Sequence, residues 1–390
     1  MKFFNLKAKG VFFYLSVLLP AVAFSQTTST SSNGSNATAI QTAVPFLLIT
    51  PDSRSGAIGE AGVAISPDVN ANFWNPSKLA FIEGDDNFSA SYSPWLRSLV
   101  PDVSLSYVAY AHRLDDRNTI GASLKYFNLG AINLIDEQQV PGGTYIPNEF
   151  SIDGSFARKF GNDFSLGLSL RYIRSSLSNS PTSSQQIKAG NAVAADISFY
   201  YKKDMQEFGN DALFSFGTNI SNIGSKISYS DNGTKYFLPT NLKIGAANTI
   251  NLDQYNQLTF ALDFNKLLVP TPPIRDQDGN IIKGKDDNVS VPAGIFGSFS
   301  DAPGGFSETL QEITISPGVE YWYNKQFAVR AGYFYENPNK GGLHYLTLGT
   351  GFRYDIFAFD FSYIAASQQN SPLANTLRFT LMANFGASKK

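Results

Sequence analysis

Between Phe88 and Phe385 the chain repeats one pattern about fourteen times: roughly ten residues of apolar/polar alternation, then a break. The final copy is the clearest. Leu377, Phe379, Leu381, Ala383 and Phe385 fall on one face, and Arg378, Thr380, Met382 and Asn384 on the other. Successive side chains of a strand point to opposite sides, so each copy predicts a strand with one greasy, aromatic face and one polar face. A soluble sandwich alternates too. The number and length of the copies, and what precedes them, decide between the two.

An export signal precedes them. Lys2, Lys7 and Lys9 make a basic start, Val11 to Val22 is an apolar run, and Ala23-Phe24-Ser25 offers small residues where a signal peptidase reads. Residues 1–25 are expected to be a signal peptide, with Gln26 opening the mature chain. The apolar run is too short to span about 30 Å of hydrocarbon, and no later stretch approaches about 18 uninterrupted apolar residues, which excludes a helical membrane protein. The sequence has no cysteine, which excludes a lipid-modified cysteine, disulfides and thiolate metal sites. Aromatic residues make up 14% and charged residues only 16%, a balance suited to a lipid-facing band with aromatic girdles. A net charge of -2 supplies no basic field for nucleic acid. An exported chain of strands with this composition belongs in the outer membrane of a Gram-negative bacterium.

The expected fold is all-β: a transmembrane antiparallel β-barrel of about 14 strands over residues 87–386, with an N-terminal hatch over 43–86 inside its lumen. Residues 26–42 form a Thr/Ser/Asn-rich tract too polar to pack and are expected to be disordered. In the hatch, Gly56, Gly59 and Gly62 alternate with Ala57, Ala61 and Ala64, small enough to thread a lumen. Asn75 is placed to cap a short helix with Pro76 at its first position and Ser77 following. Expected strands include Asn191–Tyr201, Ala212–Ile220 and Leu238–Ile250. Tight connections such as Leu114–Asn118, Leu252–Asn256 and Asn324–Gln326 alternate with long ones such as Gly130–Asn148, Ser176–Gly190 and Pro270–Glu312. Short periplasmic turns against long external loops is the barrel pattern, and an even strand count puts both termini in the periplasm.

Charge placement sharpens the picture. A Lys or Arg facing lipid near the midplane costs about 2–4 kcal/mol. With Leu124, Phe156, Leu168, Ile197, Phe260, Val329, Phe361 and Phe379 outward, the charges Lys125, Asp153, Arg171, Asp196, Asp263, Arg330, Asp360 and Arg378 all point into the lumen. They are balanced in sign, unlike the lining of an ion-selective pore. A neutral network holding an internal plug fits them, each charge paired as burial demands.

Sites for chemistry are sparse. His112 and His344 are the only histidines, on different predicted strands and without a Gly-x-Ser-x-Gly elbow. They cannot supply a metal site without further ligands. Asp276-Gln277-Asp278-Gly279-Asn280 has the wrong spacing for a calcium-binding EF-hand loop, and Asp278-Gly279 between Ile274 and Ile281 reads as a hairpin turn. No enzyme, cofactor or metal is expected. What remains is apolar content in predicted external loops: Trp95 and Leu96 with Leu99 and Val100, and Ile295 and Phe296 with Phe299 and Phe306. Such residues form a lid over the barrel mouth or a partner surface.

Three segments resemble a known family. Pro45-Phe46-Leu47-Leu48-Ile49-Thr50-Pro51-Asp52-Ser53-Arg54, Gly59-Glu60-Ala61-Gly62-Val63-Ala64 and Asn72-Phe73-Trp74-Asn75-Pro76-Ser77-Lys78-Leu79-Ala80 look like the start of the PorV (LptO) family. These are barrels of the Bacteroidetes type IX secretion system within the wider FadL-like group, whose hatch carries a comparable Asn-Pro-small motif. The resemblance implies a protein that receives secreted cargo through its C-terminal signal domain as it leaves the large translocon barrel. It would then pass the cargo to a sortase-like attachment complex at the cell surface. The alternatives are a FadL-like channel for hydrophobic small molecules and, more distantly, a lipid-A-modifying enzyme using His112 or His344.

Overall fold

A computed structural model describes residues 39–95, 102–135, 141–177, 188–230, 233–366, 373 and 375–386. The expected signal peptide, most of the polar tract, and Leu96, Leu99 and Val100 lie outside these residues. The first strands are β1 (Asp86–Pro94), β2 (Ser104–Arg113) and β3 (Asn118–Asn128). A loop hairpin follows, β4 (Ile132–Ile135) with β5 (Pro141–Tyr145). Next come β6 (Asn148–Lys159), β7 (Phe164–Ser176), β8 (Gly190–Glu207), β9 (Asn210–Gly224), β10 (Asn241–Asn251) and β11 (Asn256–Leu267). A second loop hairpin, β12 (Ile274–Arg275) with β13 (Ile281–Lys283), turns through Gln277-Asp278-Gly279, closed by Gly279 N–H donating to Asp276 O at 3.1 Å. The set ends with β14 (Ile313–Tyr323), β15 (Phe327–Tyr335), β16 (His344–Tyr354), β17 (Phe357–Ala366) and β18 (Leu377–Phe385).

Leaving out the two loop hairpins, fourteen strands close into one antiparallel barrel in sequence order, with β18 returning to β1. Asp86 pairs with Phe385 and Tyr92 with Phe379 across that seam, so every barrel strand has two neighbours and no edge is left open. Along β7, Leu166, Leu168, Leu170 and Tyr172 are exposed on the outside while Ser165, Ser169 and Arg171 are buried inside. That inversion of the soluble-protein rule marks hydrocarbon as the outer solvent.

Two strands run further than the alternation predicts. β8 and β9 continue past Tyr201 and begin before Ala212, joined by a two-residue turn at Phe208-Gly209 with φ of 53° and 82°. Positive φ at both positions is the primed turn that suits strand twist. Charges on both faces, as in Lys202-Lys203-Asp204, hide a strand that has outrun the hydrophobic band. β10 starts at Asn241 rather than Leu238, because Pro239 has no N–H to give a ladder. All tight turns fall at one end of the barrel, and the long connections at the other.

Residues 43–82 pack inside the cylinder as two short helices, α1 (Ser53–Ala57) and α2 (Ala71–Trp74), and two 3-10 turns, Pro45–Leu48 and Pro76–Phe81. Ile58, Ala61, Ala64 and Ile65 meet Ala247 and Ala261 on one side of the wall. Val69, Ala71, Leu79 and Ala80 meet Ala109, Ala111, Ala157 and Ala358 on others. Small inward side chains leave the space that the hatch fills.

Candidate functional site: the latched hatch and the loop-end cavity

The Asn75-Pro76-Ser77 motif ties hatch to wall. Pro76 opens a 3-10 turn rather than an α-helix, and Asn75 makes no side-chain capping bond. Its Nδ2 instead donates to the carbonyl oxygens of Val63 and of Phe199 on β8, both at 3.0 Å. Ser77 N–H donates to Ser198 Oγ at 2.9 Å, and Ser165 Oγ donates to Ser77 O at 2.7 Å. Three barrel-facing bonds thus come from one tripeptide. Gly167 lies so close that a Cβ there would stand 2.4 Å from Ser77 N, so the wall admits the motif only where it lacks side chains.

The eight inward charges are all buried, and they divide into two groups. Arg171 pairs with Asp153 and, at 3.0 Å, with Asp196. Arg330 reaches Asp360 at 2.7 Å and Glu320 at 2.6 Å. These are wall-to-wall ties. The other three face the hatch. Asp263 accepts the N–H groups of Gly62 and Val63 at 2.8 and 2.9 Å, Lys125 donates to the Leu47 and Ile49 carbonyls, and Arg378 pairs with Glu60 at 3.1 Å.

Sequence inspection missed the centre of this network. Arg54 of α1 forks onto Glu320 at 2.8 and 2.9 Å and onto Asp68 at 2.9 Å. The available signal was Glu320 standing in phase with Trp322 on the inward face, opposite Arg330. Ser316-Pro317-Gly318 obscured it by breaking the alternation just before.

At the long-loop end a cavity of about 270 Å³ lies above the hatch, lined by Trp74, Trp95, Lys243, Asn265, Phe334 and Tyr345 among others. Trp95 is a correction: expected in an external-loop cluster that forms a lid or a partner surface, it is 9% exposed and packs with Phe46, Leu47, Val103 and Leu105. Arg378 lies over its ring. An indole on a strand end can turn inward, and the apolar floor offered by Phe46 and Leu47 draws it there. Phe296 and Phe299, by contrast, are exposed, as is Phe306. Phe296 and the half-buried Ile295 belong to α3 (Val291–Gly297), and Phe306 opens α4 (Phe306–Gln311). The base of this long loop is held by Glu312, which takes Lys266 at 2.5 Å, Lys340 at 3.1 Å and the Thr271 hydroxyl at 2.7 Å.

The histidines are held at opposite ends. His112 Nδ1 is 2.8 Å from Asp86 Oδ1 beside the tight turns, and His344 Nδ1 is 3.0 Å from Gly342 O beside the long loops. Among the described residues no group of three or more His, Asp or Glu could hold a metal ion.

A closed barrel with an apolar exterior and a bonded hatch is an outer-membrane β-barrel protein. Its fold is similar to those of the TodX deltaS2S3 mutant monoaromatic hydrocarbon channel (12% identity, TM-score 0.49, covering 85% of this chain and 97% of that one) and the CymD monoaromatic hydrocarbon channel (11%, 0.49, 87% and 98%). A Pseudomonas aeruginosa FadL homologue is also similar (12%, 0.41, 87% and 99%). No curated protein matches the chain. The model of the family described as "Type IX secretion system protein PorV" matches residues 32–274, and the chain belongs to that family. It is an outer-membrane component of type IX secretion.

Proposed function

We propose that the protein captures the C-terminal signal domain of secreted cargo leaving the large translocon barrel and carries it to a sortase-like attachment complex. Membership of the PorV family over residues 32–274 carries the assignment. In this reading the long-loop end faces the cell exterior and both termini face the periplasm. The exposed rings of Phe296, Phe299 and Phe306 then form a cargo- or translocon-facing surface, because large apolar groups in water mark contact sites. The buried Trp95 has no part in that surface. The lumen stays closed by the hatch, and the chain performs no catalytic step.

Capture from detergent-solubilised membranes tests this. Cargo and a giant barrel should co-purify. Recovery of the protein with lipid alone would overturn the shuttle in favour of a channel for hydrophobic small molecules, the reading that the apolar part of the loop-end cavity favours. Replacing Phe296 and Phe299 with Ser should lower cargo recovery several-fold while the barrel keeps its heat-modifiable gel mobility.

A further inference from the structure

The loop-end cavity holds two polar groups that lack a hydrogen-bond partner among the described residues. Lys243 on β10 is 6% exposed and lines the cavity. Its ammonium lies 4.3 Å from the Trp74 ring centroid and 4.8 Å from that of Phe73. Among the described residues no carboxylate or carbonyl oxygen accepts a hydrogen bond from it. The other buried lysines differ: Lys266 and Lys340 pair with Glu312, Lys78 donates to Gly62 O and Lys125 to the Leu47 and Ile49 carbonyls. Asp263 and Glu60 are near enough to favour its charge, but neither accepts a hydrogen bond from it among the described residues. Glu60 is taken by Arg378 and the Tyr345 hydroxyl, Glu312 by the two lysines, and Glu336 by the Leu343 N–H.

Asn265 on β11 is the direct cross-strand partner of Lys243, which sets their Cβ atoms about 4.5–5.5 Å apart on the same inward face. Its amide nitrogen donates to Thr314 Oγ1 at 3.3 Å, but its amide oxygen is buried with no donor. Side by side stand a cation in want of a hydrogen-bond acceptor and an acceptor in want of an N–H.

We infer that this cavity receives the carboxyl terminus of a peptide chain, its terminal carboxylate at Lys243 and a backbone N–H of the same end at Asn265. A peptide terminus carries both groups within one residue. A fatty acid carries the anion but no N–H, and leaves Asn265 unsatisfied. The rings of Trp74, Trp95, Phe334 and Tyr345 give the last side chains apolar walls. Terminal carboxylates are a recurring handle in peptide recognition. The inference rests on the proposed capture of cargo through its C-terminal domain and specifies how the end of that domain is read.

The test uses the full-length protein in detergent and the isolated C-terminal domain of one co-purifying cargo, prepared with a free carboxylate and with a C-terminal amide. Titration calorimetry should show the amide form binding about tenfold more weakly, the loss expected for one charge-assisted contact. In Lys243→Met the acid and amide forms should bind alike, and Asn265→Leu should weaken both. Lys243→Met removes a buried charge that makes no hydrogen bond, so its barrel should fold, which gel mobility checks. Equal binding of acid and amide to the natural protein would overturn the inference while leaving cargo capture standing. Failure of both forms to bind would overturn capture as well. Dodecanoate that displaces the domain in a Lys243-dependent, Asn265-independent way would overturn the peptide assignment in favour of a lipid carboxylate.

Discussion

Glu320 takes two guanidinium groups at once, Arg54 from the hatch and Arg330 from the neighbouring strand. Removing one member of a buried pair leaves the others uncompensated and costs about 3–5 kcal/mol. Glu320→Gln should therefore lower the urea midpoint of unfolding and expose the α1 region to protease, and urea titration with limited proteolysis measures both. An Arg330→Lys change, which keeps the charge but loses the fork, should cost less. At this scale the sequence told which side of the wall a charge occupies, because period-two alternation assigns sides. It did not tell partners. Asp263 was legible as an inward acid, yet its hydrogen bonds come from two backbone N–H groups of the hatch, 201 and 200 residues away.

The hatch and strands β14 and β15 meet through glycine. Gly59 holds φ of 74°, and a Cβ there would stand 2.6 Å from Tyr333 O and 2.8 Å from Pro317 O. A Cβ at Gly332 would stand 2.0 Å from Gly59 N. The β14–β15 ladder omits Ser316 and Pro317 at this place, so the hatch backbone lies against an interrupted stretch of wall. Gly332→Val should push the hatch off the wall, with protease cleavage inside residues 53–82 and raised permeability to small solutes in liposome-swelling assays. Intact, impermeable barrels would contradict this contact. The small-residue run Gly56 to Ala64 announced a segment that must pass close to something. Its partners were illegible because they lie in β14 and β15, remote in sequence and brought near only by closure. Helices α3 and α4 were legible only as apolar loop, since seven and six residues are too few for a helical period to stand out.

For the whole molecule, lumen charges tied to wall or hatch and the bonded hatch describe a plugged cylinder. In planar bilayers the natural protein should conduct negligibly, and deletion of residues 43–82 should give channels if the emptied barrel still closes. Replacing His112 and His344 with Ala should leave cargo secretion unchanged, because each ring is held by its own local partner at opposite ends. A secretion loss in that double variant would revive a catalytic reading. The sequence by itself determined the barrel, its strand number and which face of each strand meets lipid. Binary alternation is a local code, and hydrocarbon enforces it strand by strand whatever the rest of the chain does. Only the tertiary structure decided that Trp95 turns inward, that Glu320 joins hatch to wall, and that Lys243 and Asn265 meet side by side at the loop-end cavity. Each depends on contacts across the lumen, and those exist only once β18 has closed on β1 and the register of every strand is set.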